Sequence, residues 1–147
     1  MYDTSLTSQS LPSKDYLYLL GVAMCTFNSN NAFIVENIVH TDAEYSWYAL
    51  IDLESGKLKR EVAETITKVA GSNIQDTFSD IVAQRNRIFH GFQITDNDEQ
   101  VLATKDKKTQ ERFIITTDYL KEFIRKNNLL SDLLHDYRKS IHWADAK

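Results

Sequence analysis

Two arginines, an amide and an imidazole stand close together in Arg85-Asn86-Arg87-Ile88-Phe89-His90, and Gly91 follows them. Guanidinium groups present forks of N–H donors that match phosphate oxygens and repel cations, so this stretch suits an anionic ligand better than a metal. An imidazole exchanges protons near neutral pH, which makes His90 the side chain to carry acid–base chemistry. On a helix, Asn86 and His90 are four apart and share a face. Arg85 then lies about 140° round from His90, and Arg87 about 160° from Arg85. A long arginine side chain can still swing toward the imidazole, whereas Arg87 is left with a supporting phosphate contact.

A helix must hold these groups, and the sequence predicts one from about Asn73 to His90. Ser72-Asn73-Ile74-Gln75 has the form of a capping box at its start. Ile74, Phe78, Ile81 and Val82 recur at helical spacing and should pack inward. Gly91 is expected to stop the helix through a left-handed conformation. His90 would then sit at the carboxyl end, where the helix dipole favours a cationic imidazole.

Residues 1–12 are rich in Ser and Thr and read as a flexible arm, leaving 13–147 as a single domain. Ser13 caps a long first helix to about Val39, with Leu17, Leu20, Met24, Phe27, Ile34 and Ile38 as its apolar stripe. Asn28-Ser29-Asn30-Asn31 interrupts it with short polar side chains that helices disfavour. Either the helix breaks there, or the amides bond inside a bundle. Alternatively Asn31, with Asn28 and Glu36, lines a polar site shared with the arginine–histidine helix. Thr41-Asp42-Ala43-Glu44 resembles another capping box, opening a short aromatic helix through Tyr45, Trp47 and Tyr48. Those aromatics read as core or interface filler. Ser55-Gly56 is expected to be a turn, and Val62, Ile66 and Val69 to face one side of a third helix that stops at Gly71.

Beyond Gly91 the period changes. Phe92–Thr95 and Val101–Thr104 are β-prone runs around Asp96-Asn97-Asp98-Glu99, a hairpin signal, and Phe113–Ile115 could add a third strand. Thr116 or Thr117 then caps a last helix striped by Leu120, Phe123, Leu130, Leu134 and Ile141. The expected fold is mainly all-α, an antiparallel helical bundle with a small β-hairpin inserted before the last helix.

Composition narrows the function. The chain has 147 residues, 42% hydrophobic and 26% charged, within the range of ordinary folded domains. No apolar run is long enough for a bilayer, and a lone Cys25 excludes an internal disulfide, so a cytoplasmic setting is expected. Cys25, among Ala23, Met24 and Phe27, reads as a buried small hydrophobe. The net charge of -4 argues against wholesale nucleic-acid binding and leaves room for a local basic site. Lys105, Lys107, Lys108 and Arg112 are the residues for an RNA contact, or else a solvated surface. His40, His90, His135 and His142 show no metal-ligand spacing, and His135 and His142 read as surface or core-edge residues of the last helix. No metal and no cofactor is expected.

The Arg85-x-x-x-x-His90 arrangement, with Asn86 after the arginine and the motif closing an amphipathic helix, resembles the signature of HEPN domains. These are small helical bundles found in many toxin, CRISPR-associated and abortive-infection ribonucleases. The similarity in layout covers the chain from Ser13 to Ile141. It implies a homodimer in which two Arg/His pairs form one cleft and cleave RNA without a metal, using the 2′-hydroxyl as nucleophile. By position, Arg85 and His90 would be catalytic, with Arg85 stabilising charge on phosphorus and Asn86 holding the histidine or the phosphate. A toxin or phage-defence role with an antitoxin or other protein partner would follow. Two alternatives stand beside it: a catalytically inactive HEPN dimer binding nucleic acid, nucleotide or protein, and a purely structural bundle whose arginine and histidine only cap a helix.

Overall fold

The structure, a computed structural model, describes the backbone of residues 5–145 and side chains as far as Ile141. Residues 1–4 of the arm and the side chain of His142 lie outside it. Nine elements follow in order: helices α1 (Lys14–Thr41), α2 (Trp47–Ile51), α3 (Ser55–Glu64), α4 (Ile66–Ala70) and α5 (Asn73–Phe89), strands β1 (Phe92–Asp96), β2 (Glu99–Lys105) and β3 (Arg112–Ile114), and helix α6 (Thr117–Asp145). The mainly helical class and the small hairpin before the last helix are as expected.

The core is the seam between α1, α5 and α6. Phe27, Ile34 and Ile38 of α1 meet Phe123, Leu130 and Leu134 of α6, while Phe78 and Ile81 close the seam from α5; all are buried. Phe27 stacks near Phe123, Asn30 bonds Asn127 and Thr41 bonds Tyr137, so numbers rise together and α1 and α6 run parallel. α5 runs antiparallel to α6, since its Asp80 lies 3.7 Å from Lys126 while Asn73 and Ile74 border the cleft formed with Tyr137 and Ser140. The antiparallel expectation therefore describes α5 against α6. A parallel α1/α6 pair is possible because α5 and the hairpin carry the chain back between them.

The asparagine run does not break α1, which is continuous over 28 residues. Asn30, rather than Asn31, is the buried amide. Its Nδ2 donates to the Asn127 carbonyl at 2.7 Å and to Asn127 Oδ1 at 3.0 Å, while Asn127 Nδ2 donates to Phe123 O at 2.9 Å. A buried amide is tolerated when partnered, and this pair supplies its own partners. Cys25 is exposed, contrary to expectation, because the buried stripe of α1 runs through Ala23, Phe27 and Asn30 and leaves Cys25 on the outer side.

Several local readings are corrected. α1 continues through Thr41, so Thr41–Asp42 is its end. Asp42 Oδ1 accepts from Glu44 N at 3.0 Å, and Ser46 caps the short α2 by accepting from Ala49 N at 3.4 Å. Tyr48 is 79% exposed, so it is not core filler. Ser55-Gly56 opens α3 instead of forming a turn, with Leu58 and Val62 pulling that helix onto the core. The third helix divides at Thr65, which leaves the helical region, and Val69 ends up 62% exposed. Gly71 does stop α4, at φ 86. Ser72 makes no capping bond to the backbone; its Oγ donates to Asp76 Oδ2 at 3.0 Å.

The hairpin turns on Asn97 (φ 49) and Asp98 (φ 63), the paired left-handed residues of a two-residue turn whose twist matches the strands. β2 pairs with β1 and β3, both antiparallel. Tyr16 fastens α1 to this sheet: its hydroxyl donates to Ile115 O at 2.6 Å and accepts from Leu102 N at 3.1 Å. The end of the arm is tied as well, since Gln93 Nε2 donates to Ser10 O at 2.7 Å and Pro12 is buried.

Candidate functional site

The last turns of α5 present the expected groups, but the helix ends for a different reason. Gly91 is not left-handed. A Cβ there would stand 2.9 Å from Ile88 O, 3.3 Å from Ala103 O and 3.3 Å from the Ile115 side chain. The glycine lets the helix end press against β2 and turn into β1. His90 N donates to Asn86 O at 2.9 Å and Gly91 N to Ile88 O at 3.0 Å, tightening the final turn.

Arg85 is held without a carboxylate. Its guanidinium carbon lies 4.2 Å from the centre of the Phe89 ring and 5.3 Å from that of Phe27, and Nη1 donates to Asn86 Oδ1 at 3.1 Å. Two ring faces attract a guanidinium by about 1 kcal/mol each. Arg85 Nε is buried with no hydrogen-bond partner, and among the described residues no carboxylate forms an ion pair with it. His90 is exposed at the helix end, and Phe89 beside it is 56% exposed. Asn86 thus holds the arginine, while only its backbone carbonyl meets His90.

The supporting residues divide. Arg87 Nη1 donates to Lys105 O at 2.6 Å and ties α5 to the hairpin. Asn31 accepts from Ser55 Oγ at 3.5 Å, and Glu36 is exposed. No hydrogen bond or ion pair among the described residues joins either to Arg85 or His90. Arg85 is level with Phe27 on α1, and Glu36 is nine residues further, about 13 Å along the axis. Asn31 is thus engaged with α3 and Glu36 stands away from Arg85 along α1.

The lysine-rich loop divides too. Lys105 Nζ donates to Gln110 Oε1 at 2.7 Å, and the Arg112 guanidinium lies 5.2 Å from the Phe92 ring centre. Lys107 and Lys108 instead border a cleft of about 590 Å³. Asp106 shapes this edge by accepting from Lys108 N and Thr109 N, each at 2.8 Å. The bonds from Thr109 and Lys108 hold its carboxyl below the usual range, with a smaller contribution from Arg87. Asn86 and Arg87 form the α5 wall with Gln84, while Lys59, Phe113 and Tyr119 come from α3, β3 and α6. Burial pushes the Tyr119 phenol up, and Arg87 partly offsets it. Lys59, Gln84, Phe113 and Tyr119 carry no common sequence signal, because four separate elements bring them together. Neither Arg85 nor His90 borders this cleft.

Among the described residues no group of three His, Cys, Asp or Glu side chains could hold a metal ion, and no helix is long and apolar enough to cross a membrane. Comparison with family models, with curated proteins and with solved structures finds no match to this chain.

Proposed function

We propose that the chain is a metal-independent endoribonuclease of HEPN type, a cytoplasmic toxin or phage-defence effector that works as a homodimer. The observation that carries this reading is the state of Arg85, clamped between two aromatic rings and bonded to a neutral amide, with a buried Nε lacking a partner. An arginine whose task was a structural ion pair would have a carboxylate beside it. A guanidinium without one keeps its charge for an anion such as a phosphodiester. The exposed Phe89, His90 and Phe92 lie together at the same end of α5 and offer a surface for a second copy. Pairing there would bring two Arg/His sets to one phosphate.

In the reaction, one His90 takes the proton from the ribose 2′-hydroxyl. The 2′-oxygen attacks phosphorus, and the bond to the 5′-oxygen breaks. The second copy's His90 returns a proton to the leaving 5′-oxygen. Arg85 stabilises the extra negative charge on the phosphoryl oxygens. The products are a 2′,3′-cyclic phosphate and a 5′-hydroxyl. An antitoxin or other protein partner would restrain such an activity in the cell.

One observation favours the second reading, an inactive dimer that serves as a binding module: the large cationic cleft excludes both Arg85 and His90. Incubating purified protein with single-stranded RNA in EDTA decides between them. Fragments ending in 2′,3′-cyclic phosphate are expected. Intact RNA under dimer-forming concentrations would overturn the nuclease reading and leave the binding one.

A further inference from the structure

The cleft between α3, α5, the β2–β3 loop and α6 has features of a built site. Its polar edge carries Lys59, Arg87, Lys107 and Lys108 against a single carboxylate, Asp106. None of those four cations forms an ion pair among the described residues, and Asp106 is already engaged by two backbone N–H groups. On a chain of net charge -4 this is a local excess of positive charge. Concave walls concentrate such a field and draw anions into it.

The cleft also has an apolar and aromatic lining. Phe113 and Tyr119 stand with ring centres 5.8 Å apart at 49°, a tilted pair, and Val82 and Ala83 extend the surface they share. Gln84 also borders the cleft, and its Oε1 is buried without a hydrogen-bond partner. Turned out of that position, the amide oxygen can accept from the exocyclic amine of a base or a ribose hydroxyl, which would relieve an unpaired buried acceptor. The volume, about 590 Å³, is in the range that holds a small ligand.

From these features we infer that the cleft binds a nucleoside phosphate, the phosphate on Lys59, Lys107 and Lys108 and the base against Phe113 and Tyr119, with Gln84 accepting from it. The same chemical unit exists as a free mononucleotide and as the phosphorylated end of an RNA. Inorganic phosphate would lack the aromatic contact, and an unphosphorylated nucleoside would lack the cationic one. The site stands apart from Arg85 and His90 and does not rest on the ribonuclease reading. Asn86 is the one residue with a place in both, since it borders the cleft and accepts from Arg85 Nη1 at 3.1 Å.

Isothermal titration of the full chain with AMP, UMP, inorganic phosphate, adenosine and a 5′-phosphorylated hexaribonucleotide tests the inference. Saturable binding of a mononucleotide or of the hexamer is expected, with phosphate and adenosine each weaker by about tenfold or more. A hexamer that binds tighter than both mononucleotides identifies an RNA end as the ligand; equal affinities identify the free nucleotide. Lys107→Ala/Lys108→Ala and Lys59→Ala, all on the surface, should each weaken binding by about tenfold. Phe113→Leu reports the base contact, with circular dichroism to check the fold. His90 borders no part of the cleft, so His90→Ala should bind AMP and UMP like the wild type, and loss of nuclease activity and loss of this site are read separately. No saturable binding of AMP, UMP or the hexamer, or unchanged affinity in the lysine variants, would overturn the proposal.

Discussion

Two polar regions of the protein use similar side chains to opposite ends. At the middle of the α1/α6 seam, Asn30 and Asn127 are buried to 4% and 1% exposure, and the Nδ2 of each has an acceptor within 3.0 Å. At the end of α5, Arg85 and Gln84 each keep a buried atom without a partner, and His90 faces solvent. In the first region the side-chain amides of Asn30 and Asn127 both donate to acceptors, as expected of groups that serve the fold. The second leaves side-chain polar capacity open at a helix end tightened by the His90 N–Asn86 O and Gly91 N–Ile88 O bonds. An open polar atom beside a cleft or an exposed imidazole is where a ligand is expected, and a satisfied pair in the seam is where stability is expected.

The largest effects should separate the two regions by activity. His90→Ala and Arg85→Lys are each expected to slow RNA cleavage by about a hundredfold or more. The urea unfolding midpoint stays near the wild-type value in His90→Ala and falls modestly in Arg85→Lys, which loses part of the ring contacts. Cleavage rates within a few fold of wild type in both variants would erase the distinction. The lysine retains the charge of Arg85 and loses the planar fork that rests on the two rings.

Next comes stability at the seam. Asn30→Leu leaves Asn127 Oδ1 buried without its donor and should cost about 1–3 kcal/mol, read from urea unfolding. Adding Asn127→Leu should restore part of that loss, because an apolar pair leaves no side-chain amide unpaired. A single variant as stable as the wild type would show that the amide pair contributes nothing.

The smallest effect belongs to a satisfied pair near solvent. The Tyr45 hydroxyl donates to Glu61 Oε2 at 2.5 Å, and that bond, with burial and nearby carboxylates adding to it, pushes the phenol up to about 12 from an ordinary 10.0. The folded state holds this proton more tightly than the unfolded state. Its contribution is therefore complete below pH 10.0 and lost as pH rises through about 12. Tyr45→Phe should flatten that part of the stability profile, by a small amount because the group is largely solvated. Identical slopes in the two proteins would remove Glu61 as the cause.

Much of the fold was legible because its signals are local. The cap at Ser13, the apolar spacing along α5 and α6, and the Asn97-Asp98 turn depend on neighbours within one turn of chain. The errors fell where a competing local bond or a tertiary contact overrides a motif. Ser72-Asn73-Ile74-Gln75 has the letters of a capping box, yet Ser72 bonds Asp76 instead. Gly91 suggested a left-handed stop, but what requires glycine is the approach of Ile88 O and Ala103 O.

The sequence by itself determined the order and type of the main elements and the nearness of Arg85, Asn86 and His90, because helical periodicity and covalent adjacency fix both. Only the tertiary structure decided which asparagine is buried, that α1 and α6 run parallel, and that Lys59, Gln84, Phe113 and Tyr119 share one cleft. Those outcomes depend on which faces meet across elements distant in the chain, and packing and hydrogen-bond satisfaction select the meeting faces only when all the elements are in place.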